Sequence, residues 1–163
     1  MIILKVLIIY LSLTGRTKRV SEIIAEELTN YQVDIEPITY NDSKLPGPTV
    51  LEKVEKGDLS SFTFNEHILN PDPYHIVIFG VPTWGGRPAY FFDGYIAKCT
   101  VQGKNFVVFN TCRFLSNRTP KKMKDAIESK GGKVIYQKMF KSLFEIKEKP
   151  IREFGQIINK TNI

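Results

Sequence analysis

Six consecutive residues, Ser12-Leu13-Thr14-Gly15-Arg16-Thr17, combine three hydroxyls with a glycine. They directly follow an apolar run, Ile2 to Tyr10, and directly precede a segment of helical periodicity. A strand-to-helix turn of this composition is suited to holding an anion. The first backbone N–H groups of a helix have no internal partner, and the helix dipole favours negative charge there. Ser12, Thr14 and Thr17 add hydroxyl donors, and Gly15 lets the backbone approach closely. Neither G-x-x-x-x-G-K-[ST] nor G-x-G-x-x-G occurs, so a nucleoside triphosphate or a dinucleotide pyrophosphate fits poorly. A single phosphate monoester fits better. The same hydroxyls read equally well as ordinary caps of the helix. Arg16, Lys18 and Arg19 are unexpected here, because a helix start ordinarily prefers acids.

Two further stretches carry chemistry-bearing residues. Pro82-Thr83-Trp84-Gly85-Gly86-Arg87-Pro88 holds the only tryptophan of the chain, on a glycine-rich turn. A large aromatic there is suited either to stacking on a flat ligand or to packing over a sheet edge. Gly85 and Gly86 are placed to offer backbone amides to ring heteroatoms. In Thr111-Cys112-Arg113-Phe114-Leu115-Ser116-Asn117, Phe114 is a candidate second wall for such a ring. Cys112 has no neighbouring histidine to make it a nucleophile and reads first as a small buried apolar residue.

Each stretch follows an apolar run and precedes a helical pattern. Ile2–Tyr10, Ile76–Val81 and Phe106–Asn110 have the Ile/Val content of strands buried on both faces, and Val33–Thr39 alternates like an edge strand. Val134–Phe140 is a fifth strand. Helical spacing places Val20, Ile23, Ile24 and Leu28 on one face between Thr17 and Leu28. Pro88 suits the first turn of a helix carrying Phe91, Phe92, Tyr95 and Ile96. Thr119 and Pro120 read as N-cap and first residue of another, with Met123, Ala126 and Ile127 on one face and Gly131 closing it. Pro150 opens a last helix with Ile151, Phe154, Ile157 and Ile158 inward. Residues 41–74, rich in proline, show only a short possible helix at Thr49–Val54 and form a long insert between the second and third strands. Strand and helix alternate five times, which predicts an α/β fold with a parallel sheet. In such sheets ligands bind outside the carboxyl ends of the strands, where the three stretches would meet.

The 163 residues fit one domain, 1–163, without a linker. The N-terminal apolar run is interrupted by Lys5 and is far shorter than the ~20 residues of a spanning helix. No A-x-A cleavage pattern follows it, so no membrane span is predicted and the expected location is cytoplasmic. Cys99 and Cys112 form no disulfide framework. His67 and His75 are isolated and read as surface or capping residues, so no metal site is predicted. The net charge of +6 allows an acidic partner. Its cations are dispersed, which speaks against nucleic acid. Lys121, Lys122 and Lys124 form a basic helix face, either simply solvated or able to steer an acidic protein.

The motifs S-x-T-G-x-T after the first strand and G-x-P-x-W after the third, in this alternating order, resemble those of the flavodoxins and flavodoxin-like FMN proteins. The resemblance implies a three-layer sandwich with a five-stranded parallel sheet in the order 2-1-3-4-5. Ser12, Thr14, Gly15, Arg16 and Thr17 would wrap the FMN phosphate. Pro82, Thr83, Trp84, Gly85 and Gly86 would line one side of the isoalloxazine, and Thr111, Cys112, Arg113 and Phe114 the other. No catalytic acid or base is assigned. The implied function is electron transfer through bound FMN, to a redox partner protein such as an acidic ferredoxin or to a small-molecule acceptor. An FMN-dependent NAD(P)H:quinone-type oxidoreductase and a non-catalytic module without flavin are the alternatives. Three departures stand out: Arg16 where the family commonly has asparagine, a third loop without an acid or tyrosine, and a basic chain. With Arg87 and Arg113 on the ring loops and no acid beside them, the second electron is expected to enter the flavin more easily than in an acidic flavodoxin.

Overall fold

The computed structural model describes residues 2–114 and 118–163. The apolar runs form strands buried on both faces: β1 (Lys5–Leu11), β4 (Ile76–Trp84) and β6 (Asn105–Cys112). They lie side by side, flanked by β2 (Gln32–Tyr40) and β7 (Lys133–Lys141), which mix buried and exposed positions. All four pairings are parallel and the order is β2-β1-β4-β6-β7, which is 2-1-3-4-5 when only the parallel strands are counted. Two short antiparallel strands bring the sheet to 7. β3 (Phe62–Thr63) pairs with the end of β2, and β5 (Arg87–Pro88) folds back on Thr83 and Trp84.

The strands present alternate residues to two cores. On one face α1 (Arg16–Glu27) and α5 (Glu148–Asn159) bury Val20, Ile24, Ile151, Phe154 and Ile158 against Ile8, Ile78 and Phe109. On the other, α3 (Phe91–Lys98) and α4 (Thr119–Ser129) bury Phe91, Phe92, Tyr95, Met123 and Ile127 against Leu7, Phe79 and Val108. Gly80 on β4 is required by close approach: a Cβ there would stand 2.1 Å from Cζ of the buried Phe109 ring.

The insert is part of this second core. Val54 of its α2 (Pro48–Glu55), Phe62 of β3, and Leu59, Ile68 and Tyr74 of the connecting segments all enter it. Phe62 and Phe64 meet Phe91 edge-on, and the Tyr95 hydroxyl donates to the Ile68 carbonyl at 2.9 Å. The helix expected at Thr49–Val54 is thus present.

Several local expectations are corrected. β1 starts at Lys5, where pairing with Gln32 begins, and Ile2 and Ile3 are exposed. Pro88 belongs to β5, and α3 starts only at Phe91. Gly85 and Gly86 have φ of 57° and 76°, the pair of positive values that a tight two-residue hairpin turn of type I′ requires. Ile157 is 50% exposed, so the inward face of α5 is Ile151, Phe154 and Ile158, and Pro150 lies within its first turn. Thr119 is the first residue of α4 rather than its cap. Gly131 does close α4, with φ 84° and its N–H donating to the Glu128 carbonyl. The histidines are structural: His75 Nδ1 accepts from the Lys5 N–H at 3.0 Å, and His67 pairs with Glu36 at the surface.

Candidate functional site

The carboxyl ends of β1, β4 and β6 surround an open cleft of about 380 Å³. Thr14, Arg16 and Thr17 line it from the first loop, together with Leu13. Pro82, Thr83, Trp84, Gly85 and Gly86 line it from the second, and Thr111, Cys112, Arg113 and Phe114 from the third. No aspartate or glutamate is among these residues. Leu115, Ser116 and Asn117 of the third loop lie outside the described residues.

Ser12 and Gly15 do not line the cleft; they shape the turn that does. Gly15 takes φ 87° at the head of α1, and its N–H donates to Ser12 Oγ at 3.0 Å. No side chain caps α1 itself, and its first turn holds no acid. The N–H groups of Arg16 and Thr17, which helix geometry leaves without intrahelical partners, therefore start at the cleft wall. The Thr17 and Thr111 hydroxyls bond each other at 2.8 Å, both residues being buried. This pair consumes one of its two hydroxyl hydrogens, so Thr17 brings the cleft its backbone amide and at most one remaining O–H.

The ring loops are built differently from each other. Trp84 is half-buried at the end of β4, held edge-on by Tyr90 at 5.4 Å and Tyr40 at 6.4 Å. It packs on the core at the sheet end and also lines the cleft. Across from it Phe114 is 72% exposed and free to cover a ring. Asn110, buried and not singled out by the sequence, joins Thr83 and Thr119 in a polar network. Asn110 Nδ2 donates to Thr83 Oγ1 at 2.8 Å, and Thr83 Oγ1 lies 3.1 Å from Thr119 Oγ1. Cys112 is half-buried, and burial pushes its thiol pKa up against the pull of Lys141 and Arg16, so it stays protonated at neutral pH.

The cations are mostly engaged. The Arg16 backbone lies at the cleft wall, while its guanidinium donates to the carbonyls of Cys112 (3.2 Å), Ser142 (2.7 Å) and Phe144 (2.5 Å). Arg19 donates to the Ile146 carbonyl at 2.5 Å and pairs with Glu145 at 3.4 Å. Lys18 is exposed, 3.9 Å from Glu22. Arg87 lies over the Tyr90 ring and pairs with Asp93 of α3 at 2.9 Å, so its charge is offset by an acid the loop sequence does not contain. Lys121 pairs with Asp125, and Lys122 donates to the Gly86 carbonyl at 3.1 Å. Arg113 is exposed on the rim, near enough to Arg16 to add to burial in lowering the Arg16 pKa. Among the described residues, no group of three or more His, Cys, Asp and Glu side chains could hold a metal ion, and no helix is long and apolar enough to cross a membrane.

Free helix N–H groups on one side and two aromatic side chains on the other suit a phosphate monoester joined to a flat ring. Five parallel strands in the order 2-1-3-4-5, helices on both faces and a cleft at the switch point make this the flavodoxin-like fold. Solved structures bear this out. A flavodoxin from the domain Archaea is 16% identical, with a TM-score of 0.61 over 96% of this chain and 97% of that one. The flavodoxin of Megasphaera elsdenii, solved in its two-electron reduced form, is 19% identical, with a TM-score of 0.61 over 96% and 99%. A flavoprotein from Lactobacillus acidophilus, solved in complex with FMN, is 18% identical, with a TM-score of 0.60 over 83% and 92%. At these identities the likeness establishes the fold. No family model matches the sequence, and no curated protein matches it.

Proposed function

We propose that the chain binds FMN in this cleft and transfers electrons through it. The observation that carries the reading is the convergence of the three loops on one cleft, with the open end of α1 facing two aromatic side chains. The α1 amides at Arg16 and Thr17 and the Thr14 hydroxyl would hold the phosphate. Trp84 and Phe114 would flank the isoalloxazine, and the Gly85–Gly86 turn would bring backbone amides to its edge. Bound FMN supplies reversible one- and two-electron chemistry. The protein's own part is to hold the ring, keep water from its faces and set the charge around it.

That charge is less positive than the loop sequences suggest, because Asp93 offsets Arg87. Arg113 is then the cation left to favour the reduced, more negative ring, and its exposure lets salt weaken the effect. An acidic redox protein is the partner class that the net charge of +6 favours.

Purified protein tests the reading through its visible spectrum. Bound flavin, or FMN taken up stoichiometrically by colourless protein, supports it. Protein that stays colourless in excess FMN overturns it. Adding a reduced nicotinamide then separates carrier from reductase: a carrier keeps its flavin oxidised until a reductase is added, whereas a reductase bleaches at once and turns over on a quinone.

A further inference from the structure

Arg16 stands at the junction of the two halves of the cleft. Its backbone N–H is one of the open donors of α1, while its guanidinium turns away to three carbonyls. One belongs to Cys112, at the base of the third loop; two belong to Ser142 and Phe144, in the segment after β7. The Ser142 N–H donates to the same Cys112 carbonyl at 3.0 Å, so the three segments share one polar knot. None of the ion pairs among the described residues includes Arg16. Its donors are thus committed to carbonyl groups from two nitrogens held in a rigid plane, Nη1 on Phe144 and Nη2 on Cys112 and Ser142, positions that the one nitrogen of an ammonium cannot both occupy. Two residues beyond Cys112 the chain reaches Phe114, a cleft wall with little packing of its own.

We propose that Arg16 is a positioning residue: it locks the Cys112–Phe114 wall to the first turn of α1, so that the phosphate cradle and the ring wall are held at a fixed separation. The role rests on the FMN reading, and it differs from direct phosphate binding by the side chain. A direct ligand would serve phosphate alone. A clamp serves the ring, because only a ligand that needs the third loop senses whether that loop is fixed.

Three probes separate these roles: inorganic phosphate, riboflavin and FMN, titrated into wild type, Arg16→Ala and Arg16→Lys. Arg16→Ala is expected to keep phosphate affinity within about threefold and to lose about tenfold or more in riboflavin affinity, the loss that one or two charge-assisted hydrogen bonds imply. Arg16→Lys keeps the charge and the fold if Arg16→Ala does not fold, and it is expected to show the same pattern, since the one nitrogen of an ammonium cannot take both positions from which the guanidinium reaches its carbonyls. Arg19→Ala, which loosens the post-β7 segment at Ile146 without touching Cys112, is expected to leave riboflavin affinity close to wild type. Lost phosphate affinity with riboflavin affinity intact, full rescue by Arg16→Lys, or an equal riboflavin loss in Arg19→Ala would each overturn the clamp while leaving the FMN reading standing. A wild type that binds neither riboflavin nor FMN overturns the FMN reading itself.

Discussion

The hydroxyl pair beneath the cleft gives a sharp test of how the first and third loops are joined. Thr17 is 1% exposed and Thr111 3%, and their oxygens are 2.8 Å apart. Replacing either threonine by valine keeps the shape but strands the other hydroxyl in a dry site, at a cost of about 1–3 kcal/mol. Replacing both removes the two polar groups together, and such paired replacements come out nearly neutral. The double variant Thr17→Val/Thr111→Val should therefore be at least about 2 kcal/mol more stable than the sum of the single losses predicts. Urea unfolding monitored by circular dichroism, with the dependence on denaturant unchanged across the four proteins, reads this coupling directly. Strict additivity would mean that the hydroxyls do not bond each other. The loops would then owe their junction to the Arg16 knot alone.

Three other expectations follow from separate parts of the molecule. Gly80→Ala puts a methyl 2.1 Å from the Phe109 ring and should cost about 3 kcal/mol or prevent folding, measured by urea midpoint; a neutral variant would contradict the close packing of β4 on β6. Gly15→Ala meets no neighbouring atom and should cost only the strain of a left-handed residue, about 1 kcal/mol, while weakening FMN binding; an unchanged FMN affinity would detach Gly15 from the site. Two carboxylates should respond to pH in opposite senses. Burial raises the Asp93 pKa more than Arg87 lowers it, so the stability of wild type relative to Asp93→Asn should be greatest at low pH and decline as pH rises through the raised pKa. Hydrogen bonds from Arg152 and Gln156 lower the Glu27 pKa, so the advantage over Glu27→Gln should be present at neutral pH and vanish as pH falls through the lowered pKa. Melting curves from acid to neutral pH check both signs.

The parallel sheet was legible because its three central strands are written as apolar runs rich in Ile, Val and Phe, and its edge strand β2 as an alternation. Each is followed by a turn whose composition breaks the run, so the three cleft loops could be placed before their geometry was known. The insert was not legible in the same way. Its α2 has 8 residues, enough only for a short possible helix to be read, and its β3 has 2, too few for any period to emerge. What ties the insert down is the packing of Phe62 on Phe91 and the hydrogen bond from Tyr95 to Ile68, contacts across about 30 positions of chain that no local rule encodes. Pro88 was misassigned because two rules compete at it. Proline suits a helix start, but Gly85-Gly86 between Trp84 and Arg87 is also a hairpin signal, and the hairpin wins because only glycines accept its two positive φ angles. The arginines mark a different limit. That Arg16 and Arg87 stand near the site can be read from the chain; that one reaches three carbonyls and the other Asp93 depends on tertiary packing alone. Asn110 escaped notice because one amide inside an apolar strand carries no pattern.

Trp84 is the only tryptophan, and it lines the cleft. Its fluorescence therefore reports occupancy of this site and no other part of the chain. Titrating colourless protein with FMN should quench it in a saturable curve with one-to-one stoichiometry. Flavin fluorescence should change at the same midpoint, and the curve should shift to weaker affinity in Gly15→Ala. Tryptophan emission that ignores FMN, or quenching that never saturates, would contradict the assignment of this cleft as a flavin site.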